Sequence, residues 1–317
     1  MTKEHVLVIG ANGQIGSVLT NQLRRLFGTN QVVATDIRPP VAEHDGPFEI
    51  LDVLDKEKLG EIVQKYHITQ IYHLAAILSA KGEQKPVQAW DINMTGLLNI
   101  LEVGRSTGIK KIFFPSSIAV FGPNVPKDQT PQDVSLTPTT VYGISKVAGE
   151  IWCQYYFDKY GLDVRSLRYP GIIGHQSLPG GGTTDYAVHI YHEALAKGQY
   201  ECFLAEDMEL PMIYMDDAIR ATIELMEAPA AQIKIRTSYN LAGMSFNPAE
   251  QANSIREHLP DFQISYAPDY RQAIAASWPN SVDDSAARKD WNWNPAFDLP
   301  GMTQDMLQNL RAHQLTT

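Results

Sequence analysis

A short apolar run, His5 to Ile9, ends in the turn Gly10-Ala-Asn12-Gly13-Gln14-Ile15-Gly16 and leads into a segment that places Val18, Leu19, Leu23 and Leu26 at helical spacing. No other feature constrains the fold as tightly. The first glycine permits a tight turn, the second lets backbone amides approach a pyrophosphate, and the third permits close helix packing; the helix amino terminus then favours the anion. An ordinary tight turn is the alternative, and the context argues against it. Asp36 closes the next predicted strand, Gln31 to Asp36, about 20 residues beyond the last glycine, where a ribose-binding acid is expected.

The alternation continues for half the chain. Strand-like runs lie at Phe48 to Leu51, Gln70 to Leu74, Lys111 to Pro115 and Val164 to Tyr169, with helical spacing at Ile15 to Phe27, Asp55 to Tyr66, Val87 to Thr107 and Tyr142 to Tyr160. Repeated β-α-β units predict an α/β fold, a Rossmann-type doubly wound parallel sheet whose ligands lie beyond the carboxyl ends of the strands. After Pro170 the pattern loosens into glycines, prolines and polar turns, Pro179-Gly-Gly-Gly182 among them, although Asp216 to Glu227 still reads as a helix. The expected organisation is a dinucleotide-binding domain over residues 1–170, rejoined by 211–245, and a smaller discontinuous substrate-binding annex made of 171–210 and 246–317.

With 317 residues, 44% of them hydrophobic, the chain has the material for a large core, which excludes a disordered or fibrous class. A formal charge of −10, from 26 basic and 36 acidic residues, disfavours nucleic acid or an anionic membrane as partner. Every apolar run is broken well short of the roughly 20 residues that cross a bilayer, and the amino-terminal run is a strand rather than a signal peptide. Only Cys153 and Cys202 are available for a disulfide and no Cys/His spacing suits a metal, so a cytoplasmic, metal-free protein is expected.

Tyr142 and Lys146 fall one helical turn apart, which puts the ammonium near the phenol and favours the ionised form. Each pKa unit by which the phenol is lowered corresponds to about 1.4 kcal/mol of phenolate stabilisation. Upstream, Ser116 and Ser117 follow a predicted strand, where a hydroxyl can hydrogen-bond a substrate oxygen. A lone Tyr/Lys pair at this spacing is ordinarily an amphipathic helix surface; strand, serine and glycine turn together reverse that preference. At the other end, Asp36 can accept hydrogen bonds from an adenosine ribose, whereas a 2′-phosphate there meets a like charge, so NAD is preferred over NADP. Ile37 and Arg38 flank the same site. The Arg38 guanidinium is the counterargument, since it can accommodate that phosphate; otherwise it is a solvated loop charge.

With these residues assembled, the chain resembles the extended short-chain dehydrogenase/reductase family over nearly its whole length. The matching elements are the Gly10/Gly13/Gly16 turn, Asp36, Asp52-Val53, Leu74-Ala75-Ala76, Asn93, Ser116-Ser117-Ile-Ala-Val-Phe-Gly122, Tyr142-Gly-Ile-Ser-Lys146 and Arg168-Tyr169-Pro170-Gly171. The resemblance implies that Asn12, Gln14 and Ile15 join the glycines in holding NAD, that Asp52 and Val53 contact its adenine side, and that Leu74 to Ala76 contact its middle. It places Tyr169, Pro170, Gly171 and Ile172 at the nicotinamide end and counts Asn93 and Ser116 among the cofactor residues. It further implies that Ser117 hydrogen-bonds the substrate oxygen, Tyr142 takes its proton, and Lys146 binds the nicotinamide ribose and stabilises the phenolate. Ser116 is the rival for the serine role, but Ser117 has the family's spacing to the following Val-Phe-Gly.

Family members that act on nucleotide sugars commonly read Arg-Asp-Phe-Ile-Tyr-Val-Asp-Asp where this chain has Leu210-Pro-Met-Ile-Tyr-Met-Asp216-Asp217, so an arginine for the diphosphate is leucine here. Near the carboxyl end, where that class often has an Arg-x-Gly-Asp element, stands Ser277-Trp278-Pro-Asn-Ser-Val-Asp-Asp284. That segment and Leu178-Pro-Gly-Gly-Gly-Thr-Thr-Asp-Tyr-Ala187 are similar to the members that act on L-threonine. The resemblance implies oxidation of the 3-hydroxyl of L-threonine to give 2-amino-3-oxobutanoate and NADH, without a metal. A small zwitterion needs donors for its carboxylate and acceptors for its ammonium, which nominates Ser79, Thr184 and the amides around Gly182, with Trp278 over the methyl group. A loop hydroxyl, a turn residue and an annex-core tryptophan are equally good readings of those positions. The glycine stretch can also serve as a lid hinge.

Two other readings stay open: an NAD-dependent nucleotide-sugar epimerase or dehydratase, and a cofactor-sensing scaffold that kept the fold and lost the reaction. The helical stretches Val87 to Thr107 and Tyr142 to Tyr160 resemble those that pair in a homodimer, though a buried helix in a monomer has the same pattern. If Asp36 recognises the ribose, Asp36→Ala erodes the preference for NAD, read as the ratio of kcat/KM for NAD and NADP; an unchanged ratio rejects the assignment.

Overall fold

A computed structural model of the chain describes residues 4–40, 45–178, 180 and 182–314. Its centre is a seven-stranded sheet in the order β10-β6-β5-β4-β1-β2-β3, every pairing parallel. The strands are β1 (Val6–Ile9), β2 (Val32–Asp36), β3 (Phe48–Ile50), β4 (Gln70–His73), β5 (Lys111–Ser117), β6 (Asp163–Tyr169) and β10 (Tyr239–Asn240). Helices α1 (Gln14–Phe27), α2 (Lys56–Lys65), the single turn α3 (Ser79–Gly82), α4 (Pro86–Thr107) and α5 (Val141–Tyr160) connect them. The first strand supplies both faces: Val6 and Val8 pack with Leu19 and Leu23 of α1, while Leu7 and Ile9 pack with Leu59 and Ile62 of α2 and Leu97 and Ile100 of α4. This strict alternation with both faces apolar is what a parallel sheet between two helix layers requires.

The chain leaves β1 for β2 on one side and crosses to β4 on the other, so β1 lies at the point where strand order reverses. In such sheets a crevice opens at the carboxyl ends of the two diverging strands. Gly10 makes that crevice: its φ is +86°, and a Cβ there would lie 2.7 Å from the amide nitrogen of Ala75, just past β4. Gly16, on the first turn of α1, is pressed so close that a Cβ would fall 2.1 Å from the Gly10 carbonyl oxygen.

The smaller part contains a three-stranded sheet, β11 (Met244–Phe246), β9 (Leu210–Tyr214) and β7 (Gly171–Ile173), and a two-stranded one, β12 (Gln263–Tyr266) with β8 (Gln199–Cys202). Helices α6 (Tyr186–Lys197), α8 (Pro248–Arg256), α9 (Tyr270–Ala276) and α11 (Leu299–Gln314) pack around them on a core that includes Tyr186, Tyr191, Phe246, Ile255 and Met302. The expected segment boundaries differ from this arrangement in two places. Within 211–245, α7 (Met215–Glu227) and β10 lie on the large sheet, but β9 pairs with β7 and β11 instead. Within 246–317, α10 (Ser285–Trp291) and Trp293 also leave the annex: Ala287, Trp291 and Trp293 share a core with Val6, Tyr239 and Ile219, because the two large indoles complete the layer beside the short edge strand β10.

Among the described residues no helix is long and apolar enough to cross a membrane. Gly10→Ala puts a side chain both into a left-handed conformation and against a backbone that cannot yield, so it should lower unfolding stability by on the order of 3 kcal/mol, measured by urea denaturation.

Candidate active site

A cleft runs from the Gly10 turn along the carboxyl edge of the sheet into the junction with the annex. Gly10, Gly13, Gln14, Ile15 and Gly16 line one end; Leu74, Ala76 and Ser79 line the middle; Ser116, Ser117, Tyr142, Lys146 and the run Tyr169 to Ile172 line the inner end, with Gly182, Thr184 and Trp278 on the annex side. The chain thus brings together residues spread over more than 260 positions, from Gly10 to Trp278.

At the glycine end, α1 begins after Gly13 with no side chain bonded to its first amides and no acidic residue in its first turn. Free amides and the positive end of the helix dipole suit an anion. Asp36, at the tip of β2, accepts from the backbone nitrogen of Asn12 at 3.0 Å and of Arg38 at 3.3 Å, while the Asn12 side chain donates to the Arg38 carbonyl at 2.9 Å. Ile37 is 61% exposed beside it, an apolar surface open to a flat ring. Asp36, Ile37, Arg38, Asp52, Val53 and Ala75 lie off the lining of the cleft itself. The Val53 side chain is buried, and a Cβ on Gly96 of α4 would meet it at 2.8 Å. Asn93 does not face the cleft either: its side chain accepts from Ile77 N at 2.8 Å and donates to Ile77 O at 3.1 Å, which braces the loop after β4. The carboxamide acts by shaping the wall.

At the inner end, helix α5 starts where it must. Thr140 caps it by accepting from Gly143 N at 3.1 Å, and Glu83 accepts from Val141 N at 2.8 Å. This sets Tyr142 in the first turn and Lys146 one turn deeper. Lys146 is buried, and its ammonium donates to the Pro115 carbonyl at 2.6 Å and lies 4.7 Å from the Phe114 ring centre. The two serines that end β5 are separated by direction: the Ser116 hydroxyl turns into α5 and donates to Glu150 at 2.5 Å, whereas Ser117 Oγ accepts from Ala119 N at 3.2 Å and acts on the Tyr142 phenol, pulling its pKa down. Pleat alternation on a strand makes that division unavoidable.

Burial dominates the electrostatics. It pushes the Tyr142 phenol up to about 12, against the opposing pull of the Ser117 hydrogen bond, and it pulls Lys146 down to about 7, against Cys153 and Glu150. The net shift of the phenol in the protein alone is upward, set first by its own burial. Positive charge brought into the cleft shifts the phenol the other way.

Leu78, Pro115, Ile118, Thr183 and Asp185 also line the cleft and escaped the sequence reading. Thr183 is 1% exposed, lines the cleft, and its hydroxyl has no hydrogen-bond partner. Its neighbour Thr184, which the sequence nominates, lines the cleft as well. The proposed hinge falls partly on Pro179 and Gly181, which lie outside the described residues; Gly182 N donates to Asp185 at 2.6 Å. Among the described residues no group of three or more His, Cys, Asp or Glu side chains is placed to hold a metal ion.

A doubly wound sheet with an anion-ready helix end at one side and a Ser/Tyr/Lys cluster at the other defines a dinucleotide-dependent oxidoreductase site. The chain belongs to the NAD dependent epimerase/dehydratase family, whose model matches residues 6–242, and its cofactor is NAD. It is 49% identical over 309 residues to an uncharacterized epimerase/dehydratase of Staphylococcus haemolyticus, covering 96% of this chain and 97% of that protein. The holo form of a GalE-like L-threonine dehydrogenase from Cupriavidus necator superimposes with a TM-score of 0.95 at 56% identity, covering 96% of this chain and 99% of that one. A monomeric L-threonine 3-dehydrogenase from a metagenome, apo form, superimposes with a TM-score of 0.94 at 49% identity, covering 97% and 99%.

Burying an unpaired hydroxyl costs about 1–3 kcal/mol, so Thr183→Val should leave the ligand-free protein at least as stable as the natural chain, by about 1 kcal/mol in urea denaturation. A clear loss would mean that the hydroxyl has a structural partner.

Proposed function

We propose that this chain oxidises the 3-hydroxyl of L-threonine to give 2-amino-3-oxobutanoate. The observation that carries the reading is the Ser117–Tyr142–Lys146 cluster at the inner end of the cleft, beneath Trp278 and Thr183, in a chain that matches solved L-threonine dehydrogenases along nearly its whole length. NAD, when bound, would supply a hydride acceptor and bring positive charge into the cleft. Ser117 hydrogen-bonds the substrate oxygen and orients the alcohol toward Tyr142, which takes its proton. Lys146 holds the nicotinamide ribose, and its ammonium favours the phenolate once the cleft carries that positive charge. The residues around Gly10 to Gly16 take the pyrophosphate, Asp36 the adenosine ribose, and Asp52 and Val53 the adenine.

For the amino acid, Ser79, Thr183, Thr184 and the amide region at Gly182 supply polar contacts in a pocket that Trp278 closes on its apolar side. A nucleoside diphosphate fits this annex poorly. Leu210, where nucleotide-sugar enzymes of the family carry an arginine, is fully buried in the annex core and offers no donor. Two further readings belong with this one. Trp90, Ile144, Ile151, Trp152 and Tyr155 on α4 and α5 are exposed apolar groups, which supports a homodimer through those helices, although a monomeric relative exists. Cys153 and Cys202 are both free and buried, in keeping with the cytoplasm.

Purified protein given L-threonine and NAD should accumulate NADH in proportion to threonine consumed, followed by absorbance; an epimerase or dehydratase returns the hydride internally and shows no net change. Tyr142→Phe should lower turnover by about a thousandfold while NAD affinity stays within about threefold, because the hydroxyl serves proton transfer rather than cofactor capture. Comparable turnover in that variant rejects the assigned base.

A further inference from the structure

Helix α5 carries a second charged residue at the catalytic end, one the proton transfer does not use. Glu150 lies one turn beyond Lys146 and is 1% exposed. Its carboxylate accepts from the Ser116 hydroxyl at 2.5 Å and from Arg168 through Nε at 3.0 Å and Nη2 at 2.8 Å. Ser116 and Arg168 face each other in register on β5 and β6, and each is followed by a cleft residue, Ser117 and Tyr169. Lys146 itself donates to Pro115, the residue before Ser116. Two neighbouring rungs therefore tie α5 to the end of β5, one made by the lysine and one by the glutamate.

The tie extends to the far wall. Arg168 Nη1 donates to the Gln132 carbonyl and to Asn240 Oδ1, both at 3.0 Å. Asn240 then donates to the carbonyls of Thr130 and Asp283 at 3.1 Å, and Lys127 of the same loop donates to the carbonyls of Ala276 and Trp278 at 2.7 Å. Lys146 and Trp278 of the cleft are thus joined to the Glu150–Arg168 pair through the backbone of β5 and of the loop from Lys127 to Gln132.

Burying two charges is costly, and well-packed apolar pairs at such places are often as stable or more so, so stability alone is a poor reason for this pair. We propose that the Glu150–Arg168 pair is a positioning element of the reaction: through Ser116 and the paired ends of β5 and β6 it holds Lys146 and Ser117 in register at the cleft. The titratable groups facing Lys146 are Tyr142, Glu150 and Cys153 on α5 and His73 on β4. Burial brings His73 down to about 3 and raises the Tyr142 phenol and the Cys153 thiol, while Cys153 and Glu150 oppose the burial that lowers Lys146.

The test uses the full chain loaded with NAD and compares the natural protein with Ser116→Ala, Glu150→Gln and the paired change Glu150→Leu/Arg168→Met, which leaves no buried charge unpaired. Lys146 reactivity is followed by reductive methylation with formaldehyde across pH and read by peptide mass; NAD affinity is followed by protein fluorescence, and turnover by NADH formation from L-threonine. Loss of the carboxylate should make Lys146 label about threefold faster near about pH 6.5, since more of it is free amine, while NAD affinity stays within about threefold. Turnover should fall about thirtyfold in the paired variant and about tenfold in Ser116→Ala, with KM for L-threonine within about threefold. A folded paired variant with natural labelling and turnover overturns the proposal; if that variant does not fold, the same result in Glu150→Gln overturns it. The turnover arm rests on the dehydrogenase reading, but the labelling arm does not, so a protein inert toward L-threonine whose Lys146 profile shifts still supports the pair.

Discussion

The end of β1 lies close enough to the end of β4 that the Gly10 turn touches the backbone of Leu74 and Ala75. Everything that binds depends on that approach. It puts the amino end of α1 and the loop after β4 on opposite sides of one narrow crevice, and it does so where the chain reverses its direction of travel across the sheet. A side chain at Gly10 would hold the two strand ends apart, and the cleft would lose its floor.

The inner end of the cleft is governed by dehydration. A phenol raised to about 12 and an ammonium lowered to about 7 are both moved away from the ionic forms that chemistry needs. Positive charge brought into the cleft lowers the phenol but lowers the ammonium further, so the two groups answer to it in opposite senses. The buried network of Glu150, Arg168, Ser116 and Asn240 lies directly behind, joining α5, β5, β6 and the segment that carries Trp278.

Much of the sheet half was legible in advance because its strands and helices differ in apolar period and meet at glycines. The predicted runs at residues 31–36, 48–51, 70–74, 111–115 and 164–169 correspond to β2 through β6 within one or two residues at most ends, β5 running on through Ser116 and Ser117. The annex was not legible in this way. Helix α6 buries Tyr186, Ala187, Val188, Ile190, Tyr191 and Ala194, so it is apolar on most sides and carries no clear stripe, and β7 through β9 are short runs among prolines and glycines. Neither of its small sheets contains two strands that are neighbours in sequence. The return of α10 and Trp293 to the large sheet had no local signal at all, since a tryptophan pair is equally at home in either core.

The sequence by itself determined the parallel sheet, the glycine turn with Asp36 behind it, and the Tyr142/Lys146 spacing, because each is a matter of residues close along the chain. Tertiary structure alone decided that the Ser116 hydroxyl turns to Glu150, that Thr183 is left with an unpaired hydroxyl, and that burial raises the Tyr142 phenol and lowers Lys146. Those outcomes depend on the direction of side chains and the exclusion of water, and both are set by groups distant in sequence that meet only when the fold closes.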